Sequence, residues 1–213
     1  MANEMRTFVT VVSDKPEVAT RLKELFKFDD SNKKYEADAL DFINNIKGTS
    51  YTYNPNPIWE KKENQNPDVK WDREVDFPSN ELWDEMIGPK WLYIEFEEGD
   101  LPRDCNIVIR TAWHVPTGFL NTLRNELQKI DEDCYIRGTY EDESYDPSGA
   151  FVYGKFDYDD MEDLDEEYDW DEADEDDFYN ENWTDACMDL ENDVVNAYLE
   201  YLEDREKNPE DYI

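Results

Sequence analysis

The sequence predicts an α+β fold, in which an antiparallel sheet carries two helices on one face and is followed by an acidic segment and a C-terminal amphipathic helix. Short β-branched stretches of alternating polarity are interspersed with stretches whose apolar residues recur every three or four positions. Residues 1–155 contain 31 acidic and 19 basic residues, a net charge of −12, whereas residues 156–213 contain 26 acidic and 2 basic residues, a net charge of −24. The chain therefore divides into a domain at 1–156 and an appended segment at 157–213.

The domain begins with a strand and a helix. Residues 6–12 (RTFVTVV) alternate and are β-branched, which predicts a strand, and Pro16 stands at the first position of a helix predicted at 16–27. Residues 29–78 are interpreted as an insertion. An apolar cluster in it ends at Gly48, and the three Asn-Pro pairs that follow predict an extended loop with little regular structure.

The second half of the domain supplies the remaining elements. They are a capped helix at 79–86, a helix at 117–129, and strands at 91–96, 106–112, 134–140 and 150–156. The order strand, helix, strand, strand, helix, strand, strand is the ferredoxin-like split β-α-β pattern with an additional edge strand. We therefore expect an antiparallel sheet with both crossover helices on the same face.

The appended segment ends in a predicted amphipathic helix of about five turns. Its apolar residues recur every three or four positions, and its other face is acidic. The apolar stripe consists of Trp183, Cys187, Leu190, Val194, Ala197, Tyr198, Tyr201 and Leu202. Such a stripe is expected to pack onto the domain or onto a second copy of itself.

Residues 157–178 form the most unusual stretch of the chain, which we call the acidic tract. Fifteen of its 22 residues are Asp or Glu, and no Lys or Arg occurs between Phe156 and Asp204. The tract also contains four aromatic residues, although ordinary acidic tails are poor in them. Two interpretations stay open: a solvated tail that binds nothing, and an acidic surface that binds a positively charged protein.

The second interpretation assigns partner binding to the carboxylates of the tract and to two aromatic anchors. The carboxylates belong to Asp157, Asp159, Asp160, Glu162, Asp163, Asp165, Glu166, Glu167, Asp169, Asp171, Glu172, Asp174, Glu175, Asp176 and Asp177. The aromatic anchors are Tyr168 and Trp170, because large aromatic side chains dominate binding energy at protein interfaces. Carboxylates at i, i+3 and i+4 of a helix or in a tight loop are expected to match the coarse spacing of phosphates.

Composition excludes several other partners and places. With a net charge of −36, the chain lacks the clustered Lys and Arg that direct binding to nucleic acid or to an anionic membrane requires. No run of 18 apolar residues and no apolar leader stretch at the N-terminus is present. Three widely spaced cysteines indicate reduced thiols. We expect a soluble protein of the cytoplasm.

The sequence offers little for catalysis or metal binding, so neither an enzyme nor a cofactor is predicted. His114 is the single histidine, and no Gly-x-Ser-x-Gly, Walker or dinucleotide motif is present. Acidic residues alternate from Asp163 to Asp171 as in an EF-hand loop. However, Tyr168 stands where that loop needs Gly, and Asp174 stands where it needs a bidentate Glu.

Three stretches resemble the YubB-type ferredoxin-like domain of phage and plasmid proteins. Gly88-Pro-Lys-Trp91 is similar to that family's Gly-Thr-Lys-Trp, with Pro89 in place of Thr. Residues 107–116 (IVIRTAWHVP) resemble its strand ending in Thr-x-Trp-x-x-Pro, and residues 140–154 resemble its Tyr-x-Glu and Gly-x-x-x-x-Gly finish. The resemblance covers residues 80–156 and, more weakly, 6–28. It implies the ferredoxin-like fold and a mobile-element origin, and it carries no activity.

These observations favour a phage-encoded acidic binding protein that acts in the host cytoplasm. Its acidic tract would imitate the charge of nucleic acid and inhibit a basic, nucleic-acid-binding host protein, such as a restriction, CRISPR or other defence nuclease, or a polymerase. The alternative is a structural or regulatory homodimer whose last helix pairs with itself and whose acidity serves solubility.

Overall fold

The computed structural model confirms the α+β class. It describes residues 4–26, 36–52, 78–89, 91–96, 104–142, 148–164 and 182–212. The strands are β1 (Glu4–Val12), β2 (Glu36–Asp38), β3 (Leu92–Phe96), β4 (Asp104–Ala112), β5 (Tyr135–Asp142), β6 (Ser148–Tyr153) and β7 (Asp159–Asp163). The helices are α1 (Pro16–Phe26), α2 (Ala39–Lys47), α3 (Asn80–Met86), α4 (Thr117–Gln128) and α5 (Asn182–Lys207), with 3-10 turns at Lys155–Asp157 and Pro209–Tyr212.

The strands form one antiparallel sheet in the order β2-β3-β4-β1-β5-β6-β7. The central strand β1 pairs with β4 on one side and with β5 on the other, so Thr7 lies opposite both Ile109 and Tyr140. Buried residues alternate along β1 from Met5 to Val11, as the period of a half-buried strand requires. The five strands expected from the sequence are therefore present, within a few residues of their predicted bounds.

Helices α1, α2 and α4 cover one face of the sheet and enclose the main core. Each of these helices contributes a fully buried Phe, and the three rings pack together. The centroid of Phe42 lies 5.6 Å from that of Phe26 and 4.6 Å from that of Phe119. Clusters of large rings bury much apolar surface with few residues, which suits a chain of 38% hydrophobic content. The predicted positions of α1 and α4, on the same face, are confirmed.

The stretch interpreted as an insertion, 29–78, contains β2 and α2 in its described part. Phe42 and Ile43 of α2 are fully buried in the main core. The apolar cluster before Gly48, to which no element was assigned from the sequence, is thus a core helix. Of the loop expected after it, at 51–78, the structure describes residues 51, 52 and 78, and the rest lies outside the described residues.

Helix α5 covers the opposite face of the sheet, over β5, β6 and β7. Val194 and Tyr198 pack there against Ala150 and Val152 of β6 in a second, smaller core. The other half of this face, on β1, β3 and β4, has no described helix over it and leaves Phe8 and Tyr93 exposed. Of the two packings expected for the last helix, onto the domain or onto a second copy of itself, the structure shows the first.

The predicted apolar stripe of α5 needs one correction. Ala197 was placed in the stripe but is exposed, whereas Val195 is buried. The helix is therefore turned toward the side on which Glu191 forms an ion pair with Arg137, at 3.5 Å. The side chain of Trp183, the first member of the stripe, lies outside the described residues.

None of the helices in the described part of the chain combines the length and the apolar character needed to cross a bilayer.

Candidate partner-binding surface

The acidic tract begins as a strand. The last strand was expected to run to residue 156, but β6 ends at Tyr153, and a tight turn leads into β7. In this turn Gly154 N–H donates to the Tyr158 carbonyl at 2.7 Å. Phe156 and Asp157 both have left-handed backbone angles, with φ of 62° and 56°. The chain is thereby reversed, and residues 159–163 pair with β6 rather than continuing as a helix or loop.

Tyr198 of α5 holds this turn in place. Its hydroxyl accepts a hydrogen bond from the Lys155 N–H at 2.9 Å. Gly154 lies flat against the ring, because a Cβ atom at this position would come within 2.2 Å of it. A glycine is required here by the close approach of α5 to the turn.

Arg124 of α4 binds the first carboxylates of the tract. Its side chain is only 3% exposed, and it donates to the Gly154 carbonyl at 3.3 Å and pairs with Asp157 at 3.3 Å. It also forms an ion pair with Asp159. Burial raises the pKa of Asp159, and the attraction of Arg124 offsets this only in part. The start of the tract is thus bound by a buried cation from a distant helix.

Tyr140 of β5 binds the far end of β7. Its hydroxyl donates to the carboxylate of Asp163 and lies 3.3 Å from the Glu162 carbonyl. Burial raises the pKa of Tyr140, and the carboxylate of Asp163 raises it further, so the hydroxyl stays protonated and can donate. Both ends of β7 are therefore fixed by side chains of the domain.

The structure assigns different roles to the carboxylates predicted to bind a partner. Asp157, Asp159 and Asp163 contact Arg124 or Tyr140, while Asp160 accepts from the Tyr158 hydroxyl at 3.3 Å. Glu162 is exposed on the strand. The other predicted residues lie outside the described part of the chain: Asp165, Glu166, Glu167, Tyr168, Asp169, Trp170, Asp171, Glu172, Asp174, Glu175, Asp176 and Asp177.

Helix α5 contributes a second row of carboxylates, which are not among the site residues predicted from the sequence. Asp185, Asp189 and Asp193 are exposed and stand four residues apart, so they occupy successive turns at a rise of about 6 Å. Their regular spacing in the sequence was a signal that could have identified them. We call β7 and this row the acidic surface.

The two parts of the acidic surface are fixed relative to each other by aromatic contacts. The ring of Tyr158, directly before β7, lies 4.8 Å from Tyr201 and 5.2 Å from Tyr198, both on α5. No Lys or Arg occurs in the sequence between Phe156 and Asp204, and the described cation that pairs with the carboxylates of the turn and of β7 is Arg124 of α4. The arrangement can present negative charge to a basic surface without first having to order itself.

Comparisons with protein-family models, curated proteins and solved structures gave no match.

Groups suited to other chemistry are sparse in the described residues. No group of three or more His, Cys, Asp or Glu there could hold a metal ion. His114 is exposed in the loop after β4, and its carbonyl accepts from the Thr111 hydroxyl at 2.7 Å. Cys134 and Cys187 are buried and form no disulfide, and burial raises the pKa of Cys187 to about 11. The Cys187 thiol therefore stays protonated at neutral pH and is a poor nucleophile.

Proposed function

We propose that this protein binds a basic host protein and that its acidic surface imitates the charge of nucleic acid. The observation that carries the proposal is the anchoring of β7 by Arg124 and Tyr140. A solvated tail would not need a buried arginine and a buried tyrosine to fix its first carboxylates. An ordered row loses less conformational entropy on binding than a disordered one, so its charge contributes more to affinity.

The spacing of the carboxylates supports the same proposal. Successive phosphates of one DNA strand advance about 3.4 Å along the helix axis. Asp160 and Glu162, two residues apart on β7, are about 6.8 Å apart along the strand, and the row on α5 advances about 6 Å per turn. Together they give a field of the same sign and a similar coarse spacing. A cleft that binds nucleic acid through Lys and Arg is the complementary surface.

The target is proposed from the suggested origin of the chain. The YubB-type resemblance points to a mobile element, and a mobile element gains from inhibiting a restriction, CRISPR or other defence nuclease, or a polymerase, in the host cytoplasm. The order β3-β4-β1-β5, with the crossover helices α1 and α4 on one face, supports a ferredoxin-like assignment. We do not propose self-pairing through α5, since Val194 and Tyr198 already pack against the same chain.

The test is capture of partners from a bacterial host lysate, followed by elution with duplex DNA or with salt. We expect both to release the partner, because duplex competes for the same basic cleft and salt screens the contacts. The triple variant Asp185→Asn, Asp189→Asn, Asp193→Asn should capture less of it.

The matched control neutralises three exposed carboxylates elsewhere on the domain: Glu17→Gln, Glu81→Gln and Asp84→Asn. This variant has the same net charge as the α5 variant, so a difference in captured partner between the two variants is due to the acidic surface and not to overall charge. The proposal is wrong if both variants lose the same amount of partner, or if the captured partner resists both duplex and salt.

A further inference from the structure

A cleft lies between the turn that precedes β7 and the C-terminal end of α5. It has a volume of about 590 Å³, which is within the range of small-molecule sites. Its apolar lining comes from Phe156, Leu202, Pro209 and Tyr212. This cleft is separate from the acidic surface, and nothing in the proposed function uses it.

Arg205 lines this cleft and forms no ion pair with any carboxylate of the described residues. Its guanidinium lies 3.9 Å above the ring of Phe156 and 5.1 Å from that of Tyr212, and its Nη1 donates to the Tyr201 hydroxyl at 2.9 Å. Every other arginine in the described residues forms an ion pair within 4.0 Å. In a chain with 57 acidic residues, a half-buried guanidinium held by rings is available to an external anion.

The floor of the cleft is built at a cost in backbone energy. Phe156 is a bulky residue with a left-handed φ of 62°, and its side chain is 48% exposed. Such a conformation is strained and persists only where the surroundings impose it. Here it places the ring directly beneath Arg205 instead of in the core.

The charges around Arg205 limit the ligand to a single negative charge. Lys155 is committed to Asp133, at 2.8 Å, and to Glu132, at 3.7 Å. Glu206 also lines the cleft. With these carboxylates nearby and a chain net charge of −36, a dianion such as a phosphate monoester would be repelled more strongly than a monoanion.

We propose that this cleft binds an apolar monocarboxylate, with the carboxylate on Arg205 and the apolar body against Phe156, Leu202 and Tyr212. A guanidinium can donate two parallel hydrogen bonds to a carboxylate, and its position above a ring leaves its edge open to do so. The ligand is either a small organic acid or the C-terminal carboxylate of a peptide.

The test is a titration of the full-length protein with phenylacetate, monitored through the NMR signals of the probe and of the protein. Phenylacetamide is the neutral control of the same shape, and phenylphosphate is the dianionic control. We expect saturable binding of phenylacetate and binding weaker by about tenfold or more for phenylacetamide, which cannot form the charged contact. A peptide that ends in Phe, with a free or an amidated C-terminus, distinguishes a chain end from a small acid.

Two variants assign the contact to Arg205. Arg205→Gln keeps a planar, stacked side chain and should weaken phenylacetate binding by about tenfold or more. Lys207→Ala removes a positive charge from the same helix end, where Lys207 is paired with Glu203 at 2.8 Å, and should leave binding unchanged. The proposal is overturned if neither carboxylate probe binds, if phenylacetamide or phenylphosphate binds as well as phenylacetate, or if the two variants behave alike.

Discussion

Replacing Arg124 with Met tests whether charge holds the start of β7. Methionine fills a similar space, so the substitution removes the ionic contacts with little loss of packing. The Asp157 contact contributes little, because that side chain is 90% exposed and solvent screens the pair. The Gly154 carbonyl keeps a donor, since Gln128 Nε2 also reaches it, at 3.2 Å. The loss therefore comes mainly from Asp159, which is partly buried and would have no cation.

We expect the free energy of unfolding to fall by about 1 kcal/mol at neutral pH, because the Asp159 side chain is 37% exposed and solvent screens part of the charge-assisted contact. The loss should shrink as the pH falls. The pKa of Asp159 in the folded protein is already raised above its value in the unfolded chain. Asp159 therefore contributes to stability at pH values below the unfolded pKa, and this contribution is lost as the pH rises through the folded pKa. Without Arg124 the folded pKa rises further, and protonation relieves the unpaired charge.

The assay is urea unfolding of wild type and variant, monitored by tryptophan fluorescence, near neutral pH and at about pH 5. A second variant, Asp159→Asn in the Arg124→Met background, should recover most of the lost stability at neutral pH because it removes the stranded carboxylate. An equal loss at both pH values, or no recovery in the double variant, would refute the view that an ion pair fixes β7.

Further predictions concern α5 and the thiols. Val194→Asp should lower the free energy of unfolding by about 3 kcal/mol or more, because it buries an unpaired charge. The control Leu199→Asp, on the exposed side of α5, should change the free energy of unfolding little. Equal melting curves for the two variants would contradict the packing of α5. Gly154→Ala should cost about 1–3 kcal/mol in urea unfolding, since the added methyl group overlaps Tyr198. Cys187 should react slowly with a thiol reagent at neutral pH and faster as the pH approaches its raised pKa of about 11. Unfolding in urea should make the reaction much faster. A fast reaction in the native protein would show that the thiol is not buried.

The core strands could be predicted because their signal is local. β1 alternates between buried and exposed residues in a pattern that the sequence shows directly. β7 could not be predicted in this way, since Asp and Glu are disfavoured in strands. It forms because Arg124 and Tyr140, 35 and 23 residues away from their partners Asp159 and Asp163, supply contacts that no local pattern reveals.

The candidate sites were predictable to different degrees. The composition of the acidic tract placed its first carboxylates among the candidates, and their binding of a partner stays a prediction. The four-residue spacing of Asp185, Asp189 and Asp193 was visible in the sequence as well. The cleft at Phe156 was not visible, because it depends on a left-handed turn that the sequence does not mark with glycine or asparagine. Tertiary contacts impose that conformation, so only the folded chain reveals it.

The carboxylates of β7 also affect how copies of the protein behave toward one another. β7 is one of the two edge strands of the described sheet, and an edge strand offers unpaired N–H and C=O groups to another chain. Repulsion between the four carboxylates of Asp159–Asp163 disfavours the pairing of two copies along this strand. Replacing these groups with Asn and Gln would remove the repulsion. The protein should then add strand to strand and aggregate with its core still folded.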